Sequence, residues 1–89
     1  MSLKVNFIKE NGSVVAYSPA LDLSTSGKTE AQAKKRFEEM VQLFFEDLIE
    51  KNTLAQVLTE LGWKGGKTRA WEPPQIVNKS VSIKIPAFA

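Results

Sequence analysis

The fold of this chain is decided by residues 3–18, which read LKVNFIKENGSVVAYS. Asn11 and Gly12 separate two runs in which apolar side chains recur at alternate positions, as they do in half-buried strands. A two-residue turn of type I′ needs positive φ at both of its residues, so this pair predicts a β-hairpin. The turn also sets the register of the two strands and places Phe7 opposite Ala16.

Both faces of the predicted hairpin are apolar. A third strand is predicted over residues 21–26, between Pro19, which cannot donate to a ladder, and Gly27. These observations favour a small antiparallel sheet whose second face is at least partly covered. The face that we take as the core holds Leu3, Val5, Phe7, Val14 and Ala16, and the other face holds Ile8, Val15 and Tyr17.

Two helices are predicted next, each opened by a capping signature. Thr29 and Gln32 have the spacing of a capping box, and the apolar residues that follow indicate a helix from about residue 30 to about residue 50. A second capping signature begins at Thr53 and predicts a shorter helix. Gly62 is the glycine expected directly after the C-cap of that helix. The apolar stripe of the long helix comprises Ala33, Phe37, Met40, Val41, Phe44, Leu48 and Ile49.

The C-terminal third combines a basic segment with a strand pattern. Residues 64–74 are rich in glycine, basic residues and proline, which predicts a flexible basic loop. Residues 81–85 alternate between apolar and polar side chains and predict a last strand, which Pro86 ends. We expect one domain over residues 1–89, with its core over about residues 3–63. The order of elements predicts an α+β fold: a three-stranded antiparallel sheet, a long helix, a short helix and a C-terminal strand.

The composition excludes several kinds of chemistry. The chain has no cysteine and no histidine, which excludes disulfides, thiolate metal sites and the usual general base at neutral pH. No apolar run approaches the roughly 20 residues of a membrane span, and the N-terminus lacks the pattern of a signal peptide. We therefore expect a cytoplasmic protein that does not bind membranes.

The charge is weakly positive and unevenly distributed. The net charge is +2, but residues 1–50 carry six basic and eight acidic side chains, whereas residues 51–89 carry six and two. The whole chain is too weakly basic to be typical of a nucleic-acid-binding protein. Only its C-terminal third can attract an acidic surface.

One candidate binding surface stands out, in which Trp63 and Trp71 bracket Lys64, Lys67 and Arg69. Two aromatic residues around three cations fit the stacking and phosphate contacts of single-stranded nucleic acid. They equally fit a protein interface, where tryptophan and arginine are preferred anchors. In a third interpretation, both indoles cover the junction of helix and sheet while the cations stay in water.

Neither a catalytic pair nor a metal cluster is evident. Glu46 and Asp47 are adjacent on a helix and point in different directions, while Asp22 lies in a turn-like stretch. The phosphate-loop interpretation of Gly66-Lys67-Thr68 fails because this segment follows a helix and its first glycine is displaced by one residue. We expect no catalysis, no cofactor and no bound metal.

Residues 12–21, GSVVAYSPAL, resemble the G-x-x-x-A-x-x-P-x-L segment of HicB-like antitoxins. Residues 22–29, with Ala33, look like that family's short third strand, G-x-T turn and helix start. Residues 58–63, LTELGW, are similar to a common ending after its second helix. The resemblance covers about residues 3–63 and implies a partial ribonuclease-H-like fold that lacks the nuclease carboxylates. It also implies a function, which is to neutralise a small HicA-type mRNA-cleaving toxin by covering its active site.

The chain departs from many family members at two places. Residues 22–24 are Asp-Leu-Ser where many members carry Pro-Gly-Cys, and the chain ends at Ala89 where many continue into a DNA-binding module. We expect no sequence-specific DNA binding by this chain alone. The alternative function is that of a small RNA-binding protein using residues 63–71. Because unprotected sheet edges pair readily, we also predict a homodimer or a higher even-numbered oligomer, built on sheet edges or on the second hairpin face.

Overall fold

The computed structural model describes residues 3–66, 69–77 and 79–87. Three strands form an antiparallel sheet in the order β1-β2-β3, and β4 pairs with β5 in a separate two-stranded sheet. The predicted α+β fold is confirmed. In chain order the elements are β1 (Asn6–Glu10), β2 (Ser13–Ser18), β3 (Leu23–Gly27), α1 (Glu30–Glu50), α2 (Leu54–Glu60), β4 (Lys64–Gly66) and β5 (Arg69–Glu72).

The first hairpin forms in the predicted register. Phe7 pairs with Ala16, and the two turn residues both have positive φ, 41° at Asn11 and 81° at Gly12. Only glycine and, less readily, asparagine adopt this conformation at little cost, which is why this pair specifies the turn. The Asn-Gly pair therefore sets the alignment of β1 and β2.

Helix α1 spans the residues that the apolar pattern predicts. The hydroxyl of Thr29 accepts a hydrogen bond of 3.1 Å from the backbone N–H of Gln32. The Gln32 side chain reaches back and accepts from the N–H of Lys28 at 2.7 Å, one residue before the position that a capping box normally uses. Two of the N–H groups around the start of the helix are thereby satisfied.

Helix α2 begins at the predicted residue, but its capping hydrogen bonds are found at its C-terminal end. The side chain of Thr53 makes no capping hydrogen bond in the described structure. At the other end Gly62 has φ +92°, and its N–H donates to the carbonyl of Thr59 while the N–H of Trp63 donates to the carbonyl of Leu58. This pair of bonds is a Schellman motif, and it turns the chain so that Trp63 points back into the core.

The core has two adjoining parts. In the first, α1 packs across the middle of the sheet, and in the second, α2 and the segment after it pack against the turn between β2 and β3. Gly27 lies so close to α1 that a Cβ placed there would be 2.7 Å from the backbone nitrogen of Ala33. The first part contains Val14, Ala16, Ala33 and Phe37, and the second contains Ala20, Leu21, Leu58 and Trp63.

The C-terminal third differs from the sequence prediction at two places. The predicted flexible loop contains the β4–β5 hairpin, because Gly65 and Gly66 adopt φ of 127° and 119° and a Cβ at Gly65 would collide with the carbonyl of Ala70. The predicted strand over residues 81–85 is wrong for the single chain, since residues 79–87 form neither helix nor strand. Alternation identifies a segment able to pair, but a strand also needs a partner, and the described part of this chain provides none there.

Candidate functional site

Trp63, the first residue of the predicted binding surface, belongs to the core. Its side chain is only 3% exposed, and its indole Nε1 donates a hydrogen bond of 2.8 Å to the carbonyl oxygen of Ala20. It also meets Phe45 edge to face, with ring centroids 6.4 Å apart. An indole in this position is inaccessible to a base or a partner protein, so its inclusion in a binding surface was wrong.

The rest of the predicted surface is only partly assembled. Trp71 is half-buried and packs beside Gly66 and the second part of the core. Lys64 and Arg69 are exposed on β4 and β5, but Lys64 stands opposite Glu72, which reduces the positive charge of the hairpin. Lys67 lies outside the described residues. The two indoles, with Lys64 and Arg69, match the interpretation in which the indoles cover a junction and the cations stay in water.

The outward side of α1 carries two large apolar side chains in a polar setting. Leu43 is 65% exposed and Ile49 is 61% exposed. At 100° per residue, both lie on the side of the helix opposite the buried Ala33, Phe37 and Leu48. The prediction that Ile49 belongs to the core stripe was wrong, because the adjacent Leu48 already occupies the inward position.

Carboxylates surround these two apolar side chains. Glu39, Glu46 and Glu50 follow each other at steps of seven and four residues and are all exposed on the same side of α1. Glu46 accepts a hydrogen bond of 3.2 Å from Gln42, and within the described residues neither Glu39 nor Glu50 forms an ion pair. We name this surface, formed by Glu39, Leu43, Glu46, Ile49 and Glu50, the acidic helix face.

Two of the other three acidic residues of α1 are paired with lysines. Glu38 lies 3.8 Å from Lys34, and Asp47 lies 3.2 Å from Lys51. These pairs are exposed and contribute little to stability, but they reduce the net charge on the flanks of the helix. The outward side of α1 therefore carries the carboxylates of Glu39, Glu46 and Glu50, with Lys35 as a basic residue one turn before Glu39 on the same side. The signal for the acidic helix face in the sequence is Leu43, an apolar residue outside the stripe that faces the core.

A second surface feature is an apolar groove between β1 and α1. It has a volume of about 510 Å³ and is lined by the apolar side chains of Leu3, Val5, Phe7, Phe37 and Val41 and by the charged side chains of Lys34 and Glu38. Leu3, Val5 and Phe7 were predicted to lie in the core, yet Phe7 is 37% exposed and the other two are only half-buried. The groove exists because α1 packs over β2 and β3 and leaves the inner side of the edge strand β1 open.

The turn between β2 and β3 contains a paired tyrosine and aspartate. The hydroxyl of Tyr17 donates to Oδ1 of Asp22 at 3.1 Å, and Asp22 has φ +52°. This hydrogen bond raises the pKa of Tyr17 above its ordinary value of 10.0, with smaller contributions from desolvation and from the charge of Asp22. The pair links β2 to the turn that follows it, and the raised pKa keeps the Tyr17 hydroxyl protonated at neutral pH.

Comparison with known proteins gives no relative. No protein-family model, no curated protein and no solved structure matches the chain. Within the described residues, no three acidic, histidine or cysteine side chains cluster in a way that could hold a metal ion. In the same part of the chain, no helix is both long enough and apolar enough to cross a membrane.

Proposed function

We propose that this chain is a non-catalytic cytoplasmic protein of the HicB-like antitoxin type, which neutralises a small HicA-type mRNA-cleaving toxin by covering its active site. Two observations support the proposal before any surface is considered. The family resemblance covers about residues 3–63, and the described strand-strand-strand-helix order is the one that it implies. No cofactor or metal is needed for such a function.

The acidic helix face is the observation that carries the proposal. A ribonuclease must attract the phosphates of its substrate, so the region around its active site is rich in lysine and arginine. A surface with three carboxylates complements such a region and accelerates the encounter with it. Leu43 and Ile49 then supply the apolar contact that a complex needs at the centre of its interface.

The test measures the affinity for a purified HicA-type toxin and the inhibition of its RNA cleavage. Reversing the charge of Glu39, Glu46 and Glu50 to lysine removes the attraction, and we expect an affinity loss of about a hundredfold, or roughly 2.7 kcal/mol. Leu43→Ala removes a central apolar contact and is expected to cost about tenfold in affinity. RNA cleavage should resume in proportion to the lost binding.

The matched control reverses charges on the β4–β5 hairpin, whose Gly66 and Trp71 line a cleft together with Leu48 and Ile49. Lys64→Glu with Arg69→Glu changes two exposed side chains of the β4–β5 hairpin and should leave toxin binding unchanged or slightly stronger. Equal losses in both sets of variants would contradict the proposal. Micromolar binding of RNA by the chain itself, abolished by the hairpin variant, would instead favour the RNA-binding alternative.

A further inference from the structure

The outer edge of β1 lacks a neighbouring strand. The sheet order is β1-β2-β3, and within residues 3–66, 69–77 and 79–87 only β2 pairs with β1. All five residues of β1 are exposed, so its free N–H and C=O groups face solvent. Directly below this edge lies the apolar groove, to which β1 and the residues before it contribute Leu3, Val5 and Phe7. An additional strand at this edge would cover the groove.

The C-terminal segment has the side-chain pattern of such a strand. Val81, Ile83 and Ile85 are 63%, 76% and 75% exposed, although β-branched side chains at alternate positions are typical of a buried sheet face. Ser82 and Lys84 lie between them and would remain in solvent. The three apolar side chains repeat at about 7 Å in an extended chain, the same spacing as Leu3, Val5 and Phe7.

The segment leaves the domain next to the open edge without occupying it. Pro74 and Ile76 line one cleft together with Leu3 and Lys4, at the beginning of the first hairpin. Residues 79–87 are exposed beyond this point and do not cover the groove of their own chain. Two consecutive prolines, Pro73 and Pro74, restrict the direction in which the chain continues. A restricted hinge of this kind favours exchange of the following segment between two copies.

We propose that residues 81–85 of one copy add to the β1 edge of a second copy and place Val81, Ile83 and Ile85 in its apolar groove. The exchange is reciprocal, so the two copies are related by a two-fold axis and each contributes one strand and one groove. Main-chain hydrogen bonds to β1 align the added strand, and the groove selects its apolar side chains. This dimer is independent of the toxin-binding function, because the acidic helix face lies on the opposite side of α1 from the groove.

Cysteine cross-linking tests the exchange directly, because the chain has no cysteine of its own. A tagged Lys84→Cys variant is mixed with an untagged Asn6→Cys variant and treated with a short bismaleimide. We expect a linked pair of one tagged and one untagged chain, and a double variant should link into dimers. Lys35→Cys, on the outward side of α1, replaces Asn6→Cys as the control and should give no such pair. A double variant that links only within one chain would overturn the proposal.

Sedimentation of two matched variants gives an independent measurement. Ile83→Lys and Ser82→Lys each add one positive charge to the same segment, but on opposite faces of the strand. The unmodified protein should be a dimer at tens of micromolar, Ile83→Lys should weaken the dimer by about a hundredfold, and Ser82→Lys should not. A monomeric unmodified protein, or equal effects of the two variants, would overturn the proposal. Far-UV circular dichroism of each variant shows that the domain itself remains folded.

Discussion

The indole nitrogen of Trp63 donates a buried hydrogen bond of 2.8 Å to the carbonyl oxygen of Ala20, which lies 43 residues earlier in the chain. This bond joins the end of α2 to the turn between β2 and β3, and both residues are nearly inaccessible to solvent. It satisfies a backbone acceptor in a part of the core where water cannot replace the donor. Trp63 therefore has a structural role. The Schellman motif at the end of α2 directs its side chain into the core, where the indole reaches the Ala20 carbonyl.

Replacing Trp63 should therefore lower stability. Trp63→Phe keeps most of the apolar contact but leaves the Ala20 carbonyl without its donor, and we expect a loss of about 1–3 kcal/mol. Trp63→Ala also creates a cavity and should cost about 3–5 kcal/mol. Urea denaturation measures both losses, with Trp71→Phe as the control at a half-buried indole. A Trp63→Phe variant as stable as the unmodified protein would show that the hydrogen bond is not needed.

Even a methyl side chain at position 27 should lower the stability of the fold. A Cβ at this position would meet the backbone nitrogen of Ala33 at 2.7 Å, and neither main chain can move without separating β3 from α1. We expect Gly27→Ala to lower the free energy of unfolding by about 1–3 kcal/mol. The neighbouring Ser26→Ala changes an exposed side chain and should remain within about 0.5 kcal/mol of the unmodified protein. Similar denaturation midpoints for both variants would refute the close approach.

Replacing Ser18 with alanine should make the folded protein more stable. It is 0% exposed, and its hydroxyl has no hydrogen-bond partner among the described residues. Burying an unsatisfied hydroxyl is unfavourable, so Ser18→Ala should raise the free energy of unfolding by about 1 kcal/mol. Ser24→Ala, at an exposed position of β3, serves as the control and should have little effect. A clear loss of stability in Ser18→Ala would mean that the hydroxyl does find a partner.

The ionisation of Tyr17 should report on its hydrogen bond to Asp22. Because Tyr17 is the single tyrosine, its phenolate absorbance gives the pKa directly, and we expect a value above 10.0. The folded state holds this proton more strongly, so the stabilising contribution is complete below pH 10 and is lost as the pH rises through the raised pKa.

Two substitutions at Asp22 separate the causes of this shift. Asp22→Asn removes the charge and replaces the carboxylate with a weaker acceptor, so we expect a pKa between those of the unmodified protein and Asp22→Gly. Asp22→Gly accommodates the φ of +52° but removes the acceptor, and the pKa should return close to 10.0. A pKa that is the same in all three proteins would exclude Asp22 as the cause.

Local sequence information was sufficient for most of the fold. The Asn11-Gly12 turn determined the register of the first hairpin, and the apolar repeat together with Thr29 determined both ends of α1. These features depend on backbone conformations and contacts between residues close in the chain, which the residue types themselves restrict. The candidate site was predicted less well. Trp63 was assigned to a surface because an indole is equally suited to a core and to an interface.

The sequence by itself determined the strands and helices of residues 6–60, but the tertiary structure decided the pairing of the C-terminal third and what each apolar side chain faces. Leu43 and Phe7 are as apolar as any core residue, and both are exposed. Leu43 lies on the outward side of α1, and Phe7 lies on the sheet edge that α1 leaves open. Residues 81–85 carry a strand pattern without forming a strand, since backbone pairing requires a second strand at the correct distance. Burial and pairing are properties of two surfaces in contact, and only the packed chain brings those surfaces together.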